Sequence, residues 1–262
     1  MMLAGCSEDA KQDRKNYQGI EEVPKSVWKK LNEKRIVFGH QSVGENIIEG
    51  LNRIIKENGS IQIEVLETNH FNNLKPGTLA HFRIGENGDP LSKITQFEKM
   101  AHDRFGDKVD FAFFKLCYVD ITTETDLTTT AVKYVDTLNS IATAFPQTQF
   151  IFFTCPLTET KITWKTKLKK ILGVGTLWEF NDNIKRNQFN DLITMQNNNR
   201  IPIFDLAGFE STHMDGTKSK FEFEGKEYLS LSSDYSFDGG HLNNTGRKIV
   251  AEQLLVMLAN LV

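Results

Sequence analysis

The 262-residue chain has little of three things that would each commit it to a class of function. It holds only three cysteines, Cys6, Cys117 and Cys155, at separations that suit neither a metal site nor a disulfide framework. Cys117 and Cys155 each end an apolar, strand-like run, where a thiol ordinarily behaves as a small buried hydrophobe. A single disulfide between them stays open. Charge of one sign is scarce too: 31 Lys and Arg against 34 Asp and Glu leave a net −3, with no global pull toward nucleic acid or an anionic membrane. The one lysine-rich insert, 158–175, has only Trp164 and Trp178 near it for base stacking, and reads as a solvated face. Finally, no run is long and apolar enough to span a bilayer.

With 39% hydrophobic residues, the chain can bury one sizeable core, and no second apolar centre or long linker follows residue 30. The organisation predicted is a segment 1–30 and a single domain 31–262. Within the first segment, Leu3-Ala4-Gly5-Cys6 resembles a bacterial lipobox, and the polar run 7–26 reads as a flexible tether. That resemblance implies lipidation at Cys6, a place at the bacterial cell envelope, and membrane contact only through the anchor.

From residue 34 onward, short apolar runs alternate with helical stretches. Strands are predicted at 35–39, 61–67, 109–119, 148–156 and 201–206. Helices are predicted at 45–58, 91–105, 127–145, 177–196 and 243–262. A loop rich in Asn, Gly and Pro separates the second strand from the second helix. The pattern at 220–231, aromatic and charged residues around Gly225, predicts a hairpin. Strands apolar on both faces and interleaved with helices imply an α/β fold: a three-layer α/β/α sandwich on a five-stranded, mainly parallel sheet of flavodoxin-like type.

Two places carry chemistry. Ser42 sits where the first strand turns into a helix, in "GHQSVGENII". Ser42-Val43-Gly44-Glu45 fits a capping box, in which the serine accepts from a helix amide and Glu45 reaches back. The same corner could instead present the hydroxyl as a nucleophile, beside helix amides that stabilise an oxyanion. The second place is Asp238-Gly239-Gly240-His241, a glycine bend that lets carboxylate and imidazole meet before the last helix. A carboxylate on one ring nitrogen leaves the other to accept a proton from a serine. A surface turn is the ordinary reading of Asp-x-x-His alone. The two signals falling together in one α/β chain favour the nucleophile. No second His or Asp cluster gives metal-ligand spacing, and no metal or organic cofactor is implied.

"DGGHLNNTGRKIVAEQL" resembles the C-terminal block of the SGNH (GDSL-type) hydrolase superfamily. The serine corner, "AFPQTQFIFFTCP" and "FNDLITMQNNNRIPIFDL" are similar to further parts of that fold, so the likeness runs over about residues 34–262. It implies a Ser42, Asp238, His241 triad acting on esters. It also implies an oxyanion hole from the Ser42 amide, a glycine amide of a second block and an asparagine of a third. Gly85 is the first choice for that glycine, with Asn87 and Gly88 beside it; a plain turn is the bland alternative. Two blocks depart from the family. His40-Gln41 stands where Gly-Asp precedes the serine, and Val119 stands where the third block has its asparagine. Lys115, Tyr118, His40 and Asn87 are the candidates to replace that lost donor.

The function expected is a serine esterase working through an acyl-enzyme on a small-molecule or glycan ester, with O-acetyl groups of an envelope or dietary glycan as the first guess. A non-catalytic carbohydrate-binding lipoprotein and an acyl transferase are the alternatives. Nucleic acid is not an expected partner.

Overall fold

The computed structural model describes residues 16–160, 178–198 and 200–262. Eight strands are present among them: β1 Arg35–His40, β2 Glu64–Glu67, β3 Thr78–Arg83, β4 Phe111–Phe114, β5 Gln149–Phe153, β6 Ile203–Phe204, β7 Lys220–Phe223 and β8 Lys226–Leu229. The helices are α1 Lys25–Leu31, α2 Ser42–Glu57, α3 Pro90–Met100, α4 Leu127–Ala144, α5 Trp178–Asn197, α6 Leu206–Ser211 and α7 Asn244–Asn260.

Six strands form one parallel sheet in the order β2-β3-β1-β4-β5-β6. Its side chains alternate between two cores, as the two-residue period of a strand requires. Phe111 and Phe113 face one side with Ile151 and Phe153, under α1, α2 and α7. Ala112 and Phe114 face the other with Phe150 and Phe152, under α3, α4 and α5. The sheet is therefore buried on both faces, and the three-layer expectation holds with one strand more than the five predicted.

That extra strand is β3, which falls in the stretch read from sequence as loop. Its His81 and Arg83 break the apolar run, and Pro76-Gly77 just before it gives a turn signal. In space β3, not β2, lies beside β1. At the other edge, the predicted strand 201–206 shortens to two residues, because Asp205 caps α6 by accepting from the Gly208 amide at 3.0 Å. The N-terminal boundary also moves. Residues 25–31 form a helix whose Trp28 and Leu31 are buried in the first core, so the domain begins well before residue 31. Cys6 and most of the insert 158–175 lie outside the described residues. The hairpin β7–β8 is present, turned by Glu224 and Gly225 at positive φ.

Cys117 and Cys155 are buried free thiols, so no disulfide joins them. Among the described residues, no helix is long and apolar enough to cross a membrane.

Candidate active site

The carboxyl ends of β1, β4 and β5 converge on one edge of the sheet, where α/β proteins bind their ligands. Ser42 is the first residue of α2, and Gln41 is its N-cap. The capping box expected of Ser42 and Glu45 is therefore absent: the cap position is one residue earlier, and Glu45 pairs with Arg83 at 2.5 Å instead. Gln41 gives the helix no side-chain cap. Its amide side chain turns the other way and donates to the carbonyls of Ile84 and Gly85, both at 2.9 Å. The first-turn amides of α2 are thus left without a cap, at the positive end of a 16-residue helix.

Behind this corner, His40 is fully buried. Its Nδ1 lies 3.0 Å from the Gln41 carbonyl and its Nε2 3.0 Å from His81 Nδ1. Burial, aided by neighbouring Arg83, Lys115 and His81, pushes its pKa down to about 3, so the ring is neutral. Neutral His40 donates to Gln41 and accepts from His81, which fixes the peptide that leads into Ser42.

Asp238 and His241 do meet. The carboxylate accepts from His241 Nδ1 at 2.7 Å and also from the amides of Gly240 and His241. Partial burial works to raise the Asp238 pKa, but those amides and the imidazole outweigh it and hold the pKa low. The bend depends on Gly239 at φ +93, a conformation that other residues rarely adopt. Gly240 is needed for a different reason, since a Cβ there would meet the Tyr118 ring at 3.0 Å. The imidazole lies between Phe237, stacked at 6.2 Å, and the edge of Tyr118 at 5.8 Å.

This pair is tied to α2 by Asn46, among other contacts, a residue the sequence pattern does not single out. Its Oδ1 accepts from the Leu242 amide at 3.0 Å. Asn46 lies one helical turn beyond Ser42, on the same face, and Leu242 is the residue after His241. The bond is buried. Neither Ser42 Oγ nor His241 Nε2 has a hydrogen-bond partner among the described residues, so no hydrogen bond joins the two. A buried asparagine amid Val43, Ile47 and Leu51 was the available signal.

The expected second and third blocks are placed beside each other but differently used. The Gly85 amide donates to Gln96 Oε1 at 2.6 Å, and Gly88 donates to Asp120 at 2.8 Å, so both amides already have acceptors. This corrects the expectation that Gly85 offers a free oxyanion donor. Asn87 accepts from Lys93. Lys93 and Asp120 form a wholly buried ion pair at 2.6 Å, and Asp120 also accepts from the Cys117 amide. Asp120 therefore ties the 85–88 loop to the 117–120 turn. Of the replacements considered for the lost asparagine, Lys115 is fully buried with its Nζ on the Leu116 carbonyl, and His40 is committed as described. Tyr118 is half-buried at the site, its phenol held protonated by burial first and by Asp238 next.

Beside the Asp238–Gly240 bend opens a cavity of about 440 Å³. Tyr118, Val119, Thr158, Asp182 and Arg186 are among its walls. Arg186, also unforeseen, is buried and donates to the Tyr118 carbonyl at 2.8 Å and to Thr158 at 2.9 Å. It holds the turn after β4 against the segment after β5. Among the described residues, no group of three metal-ligating side chains comes together.

No family model and no curated protein matches the chain. Solved structures do. An acetyl xylan esterase, AlAXEase, aligns over 85% of this chain and 98% of its own at 15% identity, with a TM-score of 0.51. A candidate platelet activating factor from Streptococcus pneumonia aligns over 91% and 92% at 15% identity, with a TM-score of 0.50. A candidate GDSL-like lipase from Parabacteroides merdae aligns over 87% and 96% at 12% identity, also at 0.50. At such identities a likeness speaks for architecture alone. The chain has the α/β fold of the SGNH (GDSL-type) hydrolases.

Proposed function

We propose that this protein is a serine acylhydrolase that cleaves small ester groups through an acyl-enzyme. The observation that carries the reading is the Asp238–His241 pair, held by Leu242 and Asn46 against the helix that begins at Ser42. The 2.7 Å bond fixes the proton of His241 on Nδ1 and leaves Nε2 as the base.

In the first half-reaction, Nε2 takes the Ser42 proton as Oγ attacks the ester carbonyl. The uncapped amides at the start of α2 face the developing oxyanion, and His241 returns the proton to the leaving alcohol. Water, deprotonated by the same Nε2, then releases the acyl group. Asp238 stays ionised throughout and stabilises the imidazolium. With Val119 in place of an amide donor and Gly85 turned to Gln96, the oxyanion depends chiefly on α2, so turnover is slower than a fully furnished hole would give.

The 440 Å³ cavity is sized for a compact alcohol such as a sugar unit, and the likeness to an acetyl xylan esterase supports O-acetyl glycans as the class to screen first. Lipidation at Cys6 would place the enzyme at the cell envelope. The test is hydrolysis of p-nitrophenyl acetate and of acetylated glycans by wild type, Ser42→Ala and His241→Ala. The reading expects loss of roughly a thousandfold or more in each variant. Equal rates in all three would overturn it.

A further inference from the structure

A second serine, histidine and aspartate set, sharing no residue with the first, lies around the loop that joins α6 to β7. His213 Nδ1 is 2.8 Å from Asp234 Oδ2, and His213 Nε2 is 2.8 Å from Ser219 Oγ. Ser232 Oγ stands 3.2 Å from the same Nδ1 and accepts from the Asp234 amide. The backbone holds the three segments in place. The Ser219 amide donates to Ser211 O at 2.8 Å, the His213 amide donates to Thr217 O at 2.8 Å, and the Ser232 amide donates to Glu210 O at 3.0 Å.

The carboxylate decides the tautomer. An acceptor-only group on Nδ1 keeps the proton there, so Nε2 carries a lone pair and the Ser219 hydroxyl must donate to it. This is the polarity that activates a serine. Such a relay is complete here, whereas no hydrogen bond joins Ser42 to His241. The oxyanion side is different. Ser219 immediately precedes strand β7 rather than starting a helix, and its own amide is already bonded to Ser211.

We infer that Ser219 is a second, independent nucleophile that takes acyl groups from small esters with acidic leaving groups, such as aryl acetates. Ser219 Oγ forms a bond to the acyl carbon as the bond from that carbon to the aryl oxygen breaks. The Ser219 proton passes to His213 Nε2 and then to the departing aryloxide. An ester with an ordinary alkoxide leaving group does not react, because nothing stabilises the tetrahedral anion. Water attack on the acyl-serine meets the same lack, so the acetyl group accumulates.

The experiment uses full-length Ser42→Ala protein, which silences the proposed main site, treated with p-nitrophenyl acetate. The expected result is a burst of one p-nitrophenolate per chain and one acetyl group mapped by peptide mass spectrometry to Ser219. His213→Ala in the same background slows that acetylation by about a hundredfold. Asp234→Asn, an exposed position that leaves the fold intact, slows it by about tenfold or more. No acetyl at Ser219, or equal acetylation with and without His213, would overturn the inference. Neither result bears on Ser42, whose activity is read in the wild type with Ser219→Ala.

Discussion

The side chain of Asn46 accepts the backbone amide of Leu242 at 3.0 Å, across 196 residues of sequence. This buried bond helps to set the position of His241 relative to Ser42, since it joins the residue after the proposed base to the helix turn after the proposed nucleophile. Asn46→Ala leaves the Leu242 amide buried without an acceptor, a cost of about 1–3 kcal/mol. The bend then relaxes away from α2. We expect kcat on an aryl acetate to fall about ten- to a hundredfold with KM little changed, because misplacement by an ångström acts on the chemical step. An unchanged kcat in the folded variant would show that α2 and the bend are aligned by other contacts.

Gly50 sits where α2 crosses α7, and a Cβ there would lie 2.2 Å from the Arg247 carbonyl. Helix propensity alone favours Gly50→Ala by about 1 kcal/mol. The clash is with backbone, so it cannot be relieved by rotating a side chain, and forcing the helices apart costs about 1–3 kcal/mol. Destabilisation is the expected net result, read as a lower Tm; a higher Tm would mean that the two helices separate freely.

Lys93 and Asp120 are both fully buried and paired at 2.6 Å. Lys93→Met removes the cation while Asp120 keeps only the amides of Cys117 and Gly88. Leaving a buried carboxylate without its partner costs about 3–5 kcal/mol. Urea denaturation should show a loss of that order, and a loss below about 1 kcal/mol would contradict the role given to this pair.

Glu210 is a buried carboxyl whose pKa is pushed up to about 8 by burial, against the opposing pull of the Leu157 amide, Lys115 and Arg186. The folded protein therefore holds a proton that the unfolded chain releases near pH 4.5. Stability from this group is greatest below the unfolded value and falls as pH rises toward about 8, by about 1.4 kcal/mol per pH unit. Glu210→Gln keeps an acceptor for Leu157 and removes the titration. Between pH 5 and 8 the variant should lose less stability than wild type; parallel curves would contradict the assignment.

The sandwich was legible because its strands are apolar on both faces, as Phe111–Phe114 and Phe150–Phe153 are. β3 was not, because His81 and Arg83 interrupt it: His81 is hidden by pairing with His40, a tertiary contact that no local pattern announces. Trp28 belonged to a segment that reads as tether until α7 covers it. At the site, Asp238 and His241 could be paired from their spacing, since the bend is local. Ser42 could be placed at a helix start, but not one residue inside it. The engagement of Gly85 by Gln96, and the partnerships of Asn46 and Arg186, depend on packing between distant segments.

The measurement that tests the central claim most directly is the site of reaction with a fluorophosphonate probe. Wild-type protein is labelled, digested and mapped beside Ser42→Ala and His241→Ala. The account predicts the label on Ser42 in the wild type, no label at that position in Ser42→Ala, and labelling of Ser42 slowed by at least about a hundredfold in His241→Ala. Folded wild-type protein that leaves Ser42 unlabelled, or labels it equally fast without His241, would contradict it.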